Sequence, residues 1–171
     1  DGTVKSQNKI LPSGILFDGL DPYQLGLKMG YVGDVNGDNN VDLAASVGQD
    51  FLIMFLDDKQ ELENIKYHDR SSYFLSDILR NKKNSGGYSN PFRFPDINHD
   101  GKDELGLGTN GVVNYKGIFG VFSLGTDGEV KTNDTIDFAN LRTGFKESLS
   151  LVGSGQYINY LGDINNDGYP E

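Results

Sequence analysis

A short acidic stretch occurs three times in this chain of 171 residues, and it constrains the fold more than any other feature. The copies read DVNGDNNVDLAAS from Asp34, DINHDGKDELGLG from Asp96 and DINNDGYPE from Asp163. Intervals of 62 and 67 residues separate their first aspartates. A second marker keeps the same phase, since DGTVKS at 1–6 and DGEVKT at 127–132 precede the first and third copies by 33 and 36 residues. Repetition at this period indicates a fold built from similar supersecondary units.

Within each repeat, the pattern of apolar residues is typical of β-strands. The first repeat contains short apolar runs at 25–34, 41–48 and 50–58, bounded by the Gly, Asn and Asp residues that end strands. The second repeat contains FRFPD, ELGLGT, GIFGVFSLG and EVKTNDTID in the same order. The sequence GTDG at 125–128 predicts a hairpin turn, because Asp-Gly tolerates positive φ. The stretch 71–84 is the one place where the pattern is compatible with a helix.

Repeated units of about four antiparallel strands predict an all-β fold made of consecutive blades of a partial β-propeller. A single blade can bury its faces only against neighbouring blades. We therefore expect one repeat domain over 1–171, completed by the remaining blades of a longer protein or by other copies of this chain. The expected parts are the last strand of a preceding blade with a linker, a first blade, a second blade and the start of a third blade, at 1–24, 25–87, 88–154 and 155–171.

Each acidic stretch carries oxygen donors at alternate positions, counted from its first aspartate. Positions 1, 3, 5 and 9 are Asp, Asn or Glu in every copy, whereas position 7 varies, as expected if only its main-chain carbonyl binds. In a tightly curled loop this spacing directs the donors to one centre. The candidate metal ligands are Asp34, Asn36, Asp38, Asn40 and Asp42 in loop 1 (34–42); Asp96, Asn98, Asp100, Lys102 and Glu104 in loop 2 (96–104); and Asp163, Asn165, Asp167, Tyr169 and Glu171 in loop 3 (163–171).

This donor set favours a hard cation. Ca²⁺ takes about 6–8 oxygen ligands and tolerates irregular geometry, whereas Mg²⁺ demands a stricter octahedron. The chain has no cysteine, which excludes thiolate metal sites and disulfides. Three ligand carboxylates in each loop repel one another, and a divalent cation relieves most of that repulsion. We therefore predict Ca²⁺ in up to three sites, the third of which ends at the last residue, Glu171.

The same numbering makes further predictions about the loops. Position 6 should hold the positive φ of a sharp turn, and position 2 should anchor the loop in the core through an apolar side chain. These residues are Asn39, Gly101 and Gly168 at position 6, and Val35, Ile97 and Ile164 at position 2. His99, at position 4 of loop 2, is expected to face solvent rather than a metal.

Two alternatives are compatible with the motif D-x-N-x-D-G. An EF-hand or a dockerin shares it, but requires an acid at position 12 and flanking helices. Position 12 is Ala45 in loop 1 and Leu107 in loop 2, and the segments that follow are too short and too rich in glycine for a helix. The other alternative is a metal-free hairpin loop held by Asx turns, which becomes less favoured when three loops carry an acid at position 9.

The stretches YVGDVNGDNNVDLAAS, FPDINHDGKDELGLG and YLGDINNDGYPE resemble the FG-GAP/VCBS repeats of integrin α-subunit propellers and their bacterial relatives. The core pattern of that family is G-D-x-N-G-D-G-x-x-D-L. The resemblance implies a calcium-binding β-propeller, in which Ca²⁺ lies in the turn between the first and second strands of each blade and is bound at the positions given above. Asn39 stands where the family has glycine, and Pro95 replaces the glycine before loop 2.

Charge and composition exclude several partners. The net charge is −10 and the basic residues are scattered, which argues against a nucleic-acid ligand. No apolar run approaches the ~18 residues of a membrane span. Millimolar extracellular calcium fills even weak sites, so we expect an extracellular or cell-surface protein in which Ca²⁺ makes the loops rigid.

The expected role is recognition or adhesion through a protein or glycan ligand. The alternative is a propeller or accessory domain of a secreted polysaccharide-active enzyme. No catalytic residue is assigned, because the remaining acids form no constellation and the motifs G-x-S-x-G and H-E-x-x-H are absent from the sequence. His68 beside Asp69 is interpreted as part of a surface turn.

Overall fold

The computed structural model describes the residue ranges 3–4, 7, 28–47, 50–69, 90–113, 116–137 and 159–167. These residues form two antiparallel four-stranded sheets and contain no helix. The predicted all-β class and the predicted four-stranded units are therefore confirmed. The stretch 71–84, for which a helix was compatible with the sequence, lies outside the described residues, as do parts of all four expected divisions of the chain. No helix in the described part is long and apolar enough to cross a membrane.

Both sheets are meanders in which each strand pairs with the next one along the chain. Sheet A consists of β1 (Met29–Gly33), β2 (Asp42–Val47), β3 (Asp50–Leu56) and β4 (Leu62–His68). Sheet B consists of β5 (Phe92–Phe94), β6 (Glu104–Val113), β7 (Lys116–Leu124) and β8 (Val130–Asp137). Neither sheet closes on itself. Within the described residues, each apolar run that the sequence marks as a strand overlaps one of these strands.

The turn between β7 and β8 confirms the hairpin predicted at 125–128. Gly128 has φ +75° and donates its N–H to the carbonyl of Gly125 at 2.8 Å. The equivalent turn in sheet A, between β3 and β4, is closed by Asp57, whose carboxylate accepts the N–H groups of Lys59 and Glu61 at 2.9 and 2.7 Å. In both sheets an aspartate-containing turn thus joins the third strand to the fourth.

The main core lies between the two sheets. Because successive side chains of a strand point to opposite faces, alternate apolar residues of both sheets can meet along one shared side. The buried residues of this cluster are Val32, Val35, Ala44, Phe51, Ile53 and Phe55 from the first repeat, and Leu105, Leu107, Phe122 and Leu124 from the second. Strands β1 and β5 approach so closely that a Cβ at Gly30 would lie 1.8 Å from the carbonyl oxygen of Pro91.

The outer faces of the two sheets carry smaller apolar clusters. On sheet A, the buried members are Ala45, Val47, Leu52 and Met54. On sheet B, Phe92 and Val121 are buried, with Phe94 and Tyr160 packed against them. The rings of Phe94 and Tyr160 lie 6.1 Å apart, and Tyr160 precedes loop 3 by three residues. The start of the third repeat therefore packs on the outer face of sheet B, as sheet B packs on sheet A.

His68 corrects one expectation from the sequence. It is the last residue of β4, it is 1% exposed, and its ring stacks on that of Phe51 with centroids 4.5 Å apart. The interpretation as a surface turn was wrong, because the aromatic side chain of Phe51 on the paired strand gives the imidazole a buried flat surface.

Candidate metal centre

The acidic loops occupy equivalent places in the two sheets. Loop 1 connects β1 to β2, and loop 2 connects β5 to β6, so each joins the first strand of its sheet to the second. In loop 3, residues 163–167 are described, whereas Gly168, Tyr169 and Glu171 lie outside the described residues. The candidate ligands of loops 1 and 2 can therefore be compared in full.

Loop 1 curls around the carboxylate of its first aspartate. Asp34 Oδ1 accepts the N–H groups of Gly37 at 2.6 Å and Asp38 at 3.0 Å, while Oδ2 accepts that of Asn39 at 2.8 Å. Asn36 Oδ1 also accepts the N–H of Asp38, at 3.0 Å. These bonds turn the main chain inward and bring the side chains at alternate positions to one side.

The same bonds recur in the other two loops. Asp96 accepts the N–H groups of Asp100 at 3.1 Å and Gly101 at 2.8 Å. Asp163 accepts the N–H of Asp167 at 3.0 Å. Because the bond from position 5 to position 1 is present in all three loops, the repeat seen in the sequence is a repeat of local conformation.

Among the described residues, positions 4 and 6 of the acidic loops adopt positive φ. At position 6, Asn39 has φ +67° and Gly101 has φ +86°, which confirms that prediction for the described residues. Positive φ at position 4 was not predicted from the sequence; Gly37, His99 and Asn166 have φ +83°, +61° and +58° there. His99 is exposed to solvent, as predicted. Glycine and asparagine at these positions lower the strain of the curl.

The acid at position 9 closes each described loop. Glu104 Oε2 accepts the N–H of Ile97 at 2.8 Å, and Asp42 Oδ2 accepts the N–H of Val35 at 3.0 Å. Both acids are buried, with 2% and 0% exposure. Their other oxygens, Oε1 of Glu104 and Oδ1 of Asp42, have no hydrogen-bond partner. A buried carboxylate oxygen without a partner is costly unless a cation or a proton satisfies it.

Burial and neighbouring acids shift the acidity of these groups. The pKa of Asp42 is raised to about 7, mainly by burial and to a smaller extent by the charges of Asp38 and Asp34, against the opposing effect of the main chain of Val35 and Leu56. Burial also raises the pKa of Glu104, with smaller contributions from the acids of loop 2, and the N–H of Ile97 opposes the shift. In both loops the charged form of the position 9 acid is therefore disfavoured in the absence of a cation.

Loop 2 brings three carboxylates together. Asp96, Asp100 and Glu104 each offer an oxygen, and these oxygens lie within 4.8 Å of one another. Two oxygens bound to one Ca²⁺ at about 2.4 Å can be at most about 4.8 Å apart, so the spacing of this group is compatible with a single shared ion. The equivalent acids of loop 1 do not form a group this close. One reason is that loop 1 has Asp42 at position 9, one methylene shorter than Glu104.

The side-chain amide at position 3 donates to different partners in the different loops. In loop 1, Asn36 Nδ2 donates to Asp38 Oδ2 at 2.7 Å, whereas in loop 2 Asn98 Nδ2 donates to Ser123 Oγ on β7 at 2.8 Å. Asn165 in loop 3 repeats the arrangement of loop 1 with Asp167, at 3.0 Å. The amide at position 3 thus attaches loop 2 to its own sheet, whereas in loops 1 and 3 this amide bonds within the loop.

The contacts of Lys102 show how a basic side chain is accommodated at position 7. Its Nζ donates to the carbonyl of Leu124 at 2.7 Å and lies 3.3 Å from Asp100 Oδ2. The ammonium group therefore approaches the carboxylates from β7 and offsets part of their charge. The sequence assigned position 7 a role through its main-chain carbonyl alone, and the direction of this side chain is compatible with that assignment.

The prediction that position 2 anchors each loop holds for one loop of three. Val35 is 0% exposed and belongs to the core between the sheets, but Ile97 is 38% and Ile164 is 63% exposed. The prediction was wrong for Ile97 and Ile164, because an anchor needs an adjacent sheet to enter. Loop 1 has the sheet of the next repeat, sheet B, beside it, whereas the described residues include no sheet of a following repeat beside loops 2 and 3.

Sequence reasoning gave no role to Asp103, at position 8 of loop 2. Its Oδ2 accepts the N–H of Asp34 at 3.2 Å, and its own N–H donates to the carbonyl of Asp34 at 3.0 Å. Its Oδ1 accepts a bond from Arg93 at 2.8 Å, which raises the pKa of the guanidinium. The available signal was that position 8 is acidic in loop 2 alone, being Val41 and Pro170 elsewhere.

Neither a protein-family model, nor a curated protein, nor a solved structure matches this chain. Its fold and its loops define an all-β protein with repeated acidic loops between the first and second strands of its sheets, and loop 2 groups three carboxylates that could hold a metal ion.

Proposed function

We propose that this chain is a calcium-binding β-propeller module of the FG-GAP/VCBS type, acting in extracellular or cell-surface recognition, in which Ca²⁺ makes the acidic loops rigid. One observation carries the proposal. Glu104 is buried, one of its oxygens closes loop 2 on Ile97, and its other oxygen has no hydrogen-bond partner although Asp96 and Asp100 are within reach of the same ion.

A cation accounts for this arrangement better than a metal-free loop does. Asx-turn bonds explain the carboxylates at positions 1 and 5, which accept main-chain N–H groups. They do not explain why a third carboxylate is buried next to the first two. With Ca²⁺ in loop 2, the free oxygen of Glu104 gains a ligand bond and the like charges are balanced.

The chemistry of the donors supports Ca²⁺ over other metals. The three acids of loop 2 offer hard oxygen ligands, and the one histidine in the loop, His99, is exposed. Zinc and the later transition metals favour nitrogen and sulfur donors. An irregular loop with a main-chain carbonyl among its candidate ligands suits Ca²⁺ better than the strict octahedron of Mg²⁺.

The architecture supports a propeller in which each repeat stacks on the next. Sheet A and sheet B share a core, and Tyr160 of the third repeat packs on the outer face of sheet B. Two faces of this stack need further partners, which we propose to be the remaining blades of the same protein or other copies of the chain.

A groove beside loop 1 supports a recognition role. It has a volume of about 620 Å³, and loop 1, β4 and the turn between β7 and β8 contribute polar side chains to its lining. These side chains are Asn36, Asp38, Asn40, Glu63, Asn64 and Thr126. Asn36 and Asp38 are candidate cation ligands of loop 1, so the side chains of Asn40, Glu63, Asn64 and Thr126 are the groups left for a partner. Amides, a carboxylate and a hydroxyl beside a cation-stiffened loop suit a hydroxyl-rich or polar ligand, so we propose a glycan or protein as the partner.

Thermal unfolding with and without calcium tests the proposed function. The chain would be unfolded in 1 mM EDTA, in Ca²⁺ at about one hundred times the dissociation constant, and in Mg²⁺ at the same concentration, with calorimetric titration to count the sites. Such occupancy of one site stabilises a fold by about 2.7 kcal/mol, which raises the midpoint of a chain this long by roughly 5–10 °C. The same midpoint in EDTA and in Ca²⁺ would reject the proposal.

A further inference from the structure

Loops 1 and 2 are joined by a pair of hydrogen bonds between Asp34 and Asp103. The main-chain N–H of Asp34 donates to Asp103 Oδ2 at 3.2 Å, and the main-chain N–H of Asp103 donates to the carbonyl of Asp34 at 3.0 Å. Asp34 is the first candidate ligand of loop 1. Asp103 stands between positions 7 and 9 of loop 2, where Lys102 and Glu104 are candidate ligands.

We propose that Asp103 is a positioning residue that couples the two cation sites, so that filling one loop strengthens binding in the other. This inference rests on the proposed function, because it requires that both loops bind Ca²⁺. Asp103 itself does not touch the ion. Its carboxylate holds the main chain at the start of loop 1. Its own main-chain N–H bonds to Asp34 and so holds the segment that ends loop 2.

Further contacts fix Asp103 and the same segment. Arg93 on β5 donates to Asp103 Oδ1 at 2.8 Å, and the side chain of Asp103 is 13% exposed. Gly33 has φ +83°, and a Cβ there would lie 2.1 Å from Asp103 Oδ2. Only glycine at this position lets the carboxylate approach the chain so closely.

The neighbouring Lys102 makes a second contact between the loops. A Cβ built at Gly37 of loop 1 would lie 3.1 Å from Lys102 Cγ, so the lysine stem passes directly over that glycine. Its Nζ then reaches the carbonyl of Leu124 and the carboxylate of Asp100. The last turn of loop 2 therefore rests on the curl of loop 1.

These contacts predict positive coupling for a physical reason. A cation in loop 1 orders the main chain of Asp34, which in turn restrains Asp103 and the flanking Lys102 carbonyl and Glu104 carboxylate. Loop 2 then loses less conformational entropy when its own cation binds. Coupling between sites is reciprocal, so a cation in loop 2 must strengthen loop 1 by the same factor.

Site-resolved calcium titration of the 171-residue chain can measure the coupling. The N–H of Gly37 donates to Asp34 and that of Gly101 donates to Asp96, so their amide resonances in a ¹H,¹⁵N correlation spectrum report loops 1 and 2 separately. Asp38→Ala removes a candidate ligand from loop 1 without touching Asp103. We expect it to weaken Ca²⁺ binding at loop 2 by about 5-fold or more.

A double-mutant cycle then assigns the effect to Asp103. In an Asp103→Ala background, Asp38→Ala should weaken binding at loop 2 by much less than 5-fold, because only the main-chain bond to Asp34 and the Lys102 contact then join the loops. Asp103→Asn, which keeps an acceptor for the N–H of Asp34, should retain most of the coupling. Arg93→Met, at a side chain that is 46% exposed, should loosen Asp103 and reduce the coupling even if the alanine variant does not fold. Asp57→Asn, in the turn between β3 and β4, is the matched control and should behave as wild type.

The possible outcomes separate this inference from the proposed function. If both glycine amides respond to Ca²⁺ but Asp38→Ala leaves loop 2 unaffected, the coupling is refuted and calcium binding stands. If the 5-fold effect persists in Asp103→Ala and in Arg93→Met, Asp103 is not the coupling residue. If neither amide responds to Ca²⁺, the proposed function is refuted and the coupling with it.

Discussion

Glu104 closes loop 2 by accepting the N–H of Ile97 at 2.8 Å, seven residues earlier in the chain. Asp42 makes the equivalent bond to Val35 in loop 1, at 3.0 Å. In both loops one oxygen of the position 9 acid accepts a hydrogen bond from the main-chain N–H at position 2, and the other oxygen is buried without a hydrogen-bond partner. The closure of the loop and the candidate cation site thus depend on the same carboxylate.

Glu104→Gln should have opposite effects with and without calcium. Glutamine keeps an acceptor for Ile97 and its amide can donate to Asp96 or Asp100, so in EDTA at pH 8 we expect the variant to be more stable than wild type by about 1 kcal/mol. In saturating Ca²⁺ it should be the less stable protein, because it has lost a ligand charge. Thermal unfolding in both conditions measures the two signs.

Glu61→Gln is the matched control for that change. Glu61 is exposed in the turn between β3 and β4, away from the acidic loops, and its substitution should change stability by less than about 0.5 kcal/mol in either condition. A Glu104→Gln variant that kept the full calcium response of the wild type would contradict the role given to this carboxylate.

Gly33→Ala and Gly101→Ala form a pair with the same backbone strain and different surroundings. Both glycines have positive φ, +83° and +86°, but a Cβ at Gly33 would meet Asp103 whereas nothing lies within 4 Å of one at Gly101. We expect Gly101→Ala to lower the free energy of unfolding by about 1–2 kcal/mol through strain alone. Gly33→Ala should lower it by about 3 kcal/mol or more, since Asp103 must also move.

Chemical denaturation of the two variants tests this difference. Equal losses at the two positions would show that Asp103 can move away without cost, and that the contact between loops 1 and 2 contributes little to stability. A larger loss at Gly33 that is reduced in an Asp103→Ala background would assign the extra free energy to the side chain of Asp103.

Much of the fold follows from local patterns in the sequence. The strands are short apolar runs bounded by Gly, Asn and Asp, and the turn at 125–128 is set by its own Asp-Gly, so both were predictable. The curl of each acidic loop depends on bonds that span at most five residues, such as that from Asn39 to Asp34. The alternate spacing of oxygen donors in the sequence therefore predicts the curled shape of the loop. The roles of calcium, of the propeller and of the ligand stay predictions.

The remaining features depend on contacts between distant parts of the chain. Asp103 bonds to a residue 69 positions earlier, and no periodicity within a repeat encodes that distance. Ile97 and Val35 occupy the same position of the motif, but one is half-exposed and the other is buried, because only loop 1 lies beside a second described sheet. The local sequence of a loop does not determine which sheet will pack beside it.

Val35→Ala and Ile164→Ala test how far position 2 anchors a loop. Val35 is 0% exposed in the core between the sheets, so its truncation should lower the free energy of unfolding by about 2 kcal/mol. Ile164 is 63% exposed, and its truncation should change stability by less than about 0.5 kcal/mol. Urea unfolding of both variants is the measurement. Similar losses would mean that Ile164 is also covered in solution, as it would be by a further blade.

His68 should make the fold sensitive to acid. Burial lowers its pKa below the ordinary 6.5, against the opposing effects of the Gly128 main chain and of Glu129, which pairs with Lys66. Because the folded-state pKa is depressed, the neutral imidazole contributes stability that is complete above about pH 6.5 and is lost as the pH falls below it. His68→Phe keeps the stack on Phe51 and cannot be protonated. In EDTA, the difference in unfolding midpoint between His68→Phe and wild type should therefore grow in favour of the variant from pH 7 to pH 5, and a constant difference across that range would show that His68 does not contribute to the acid sensitivity.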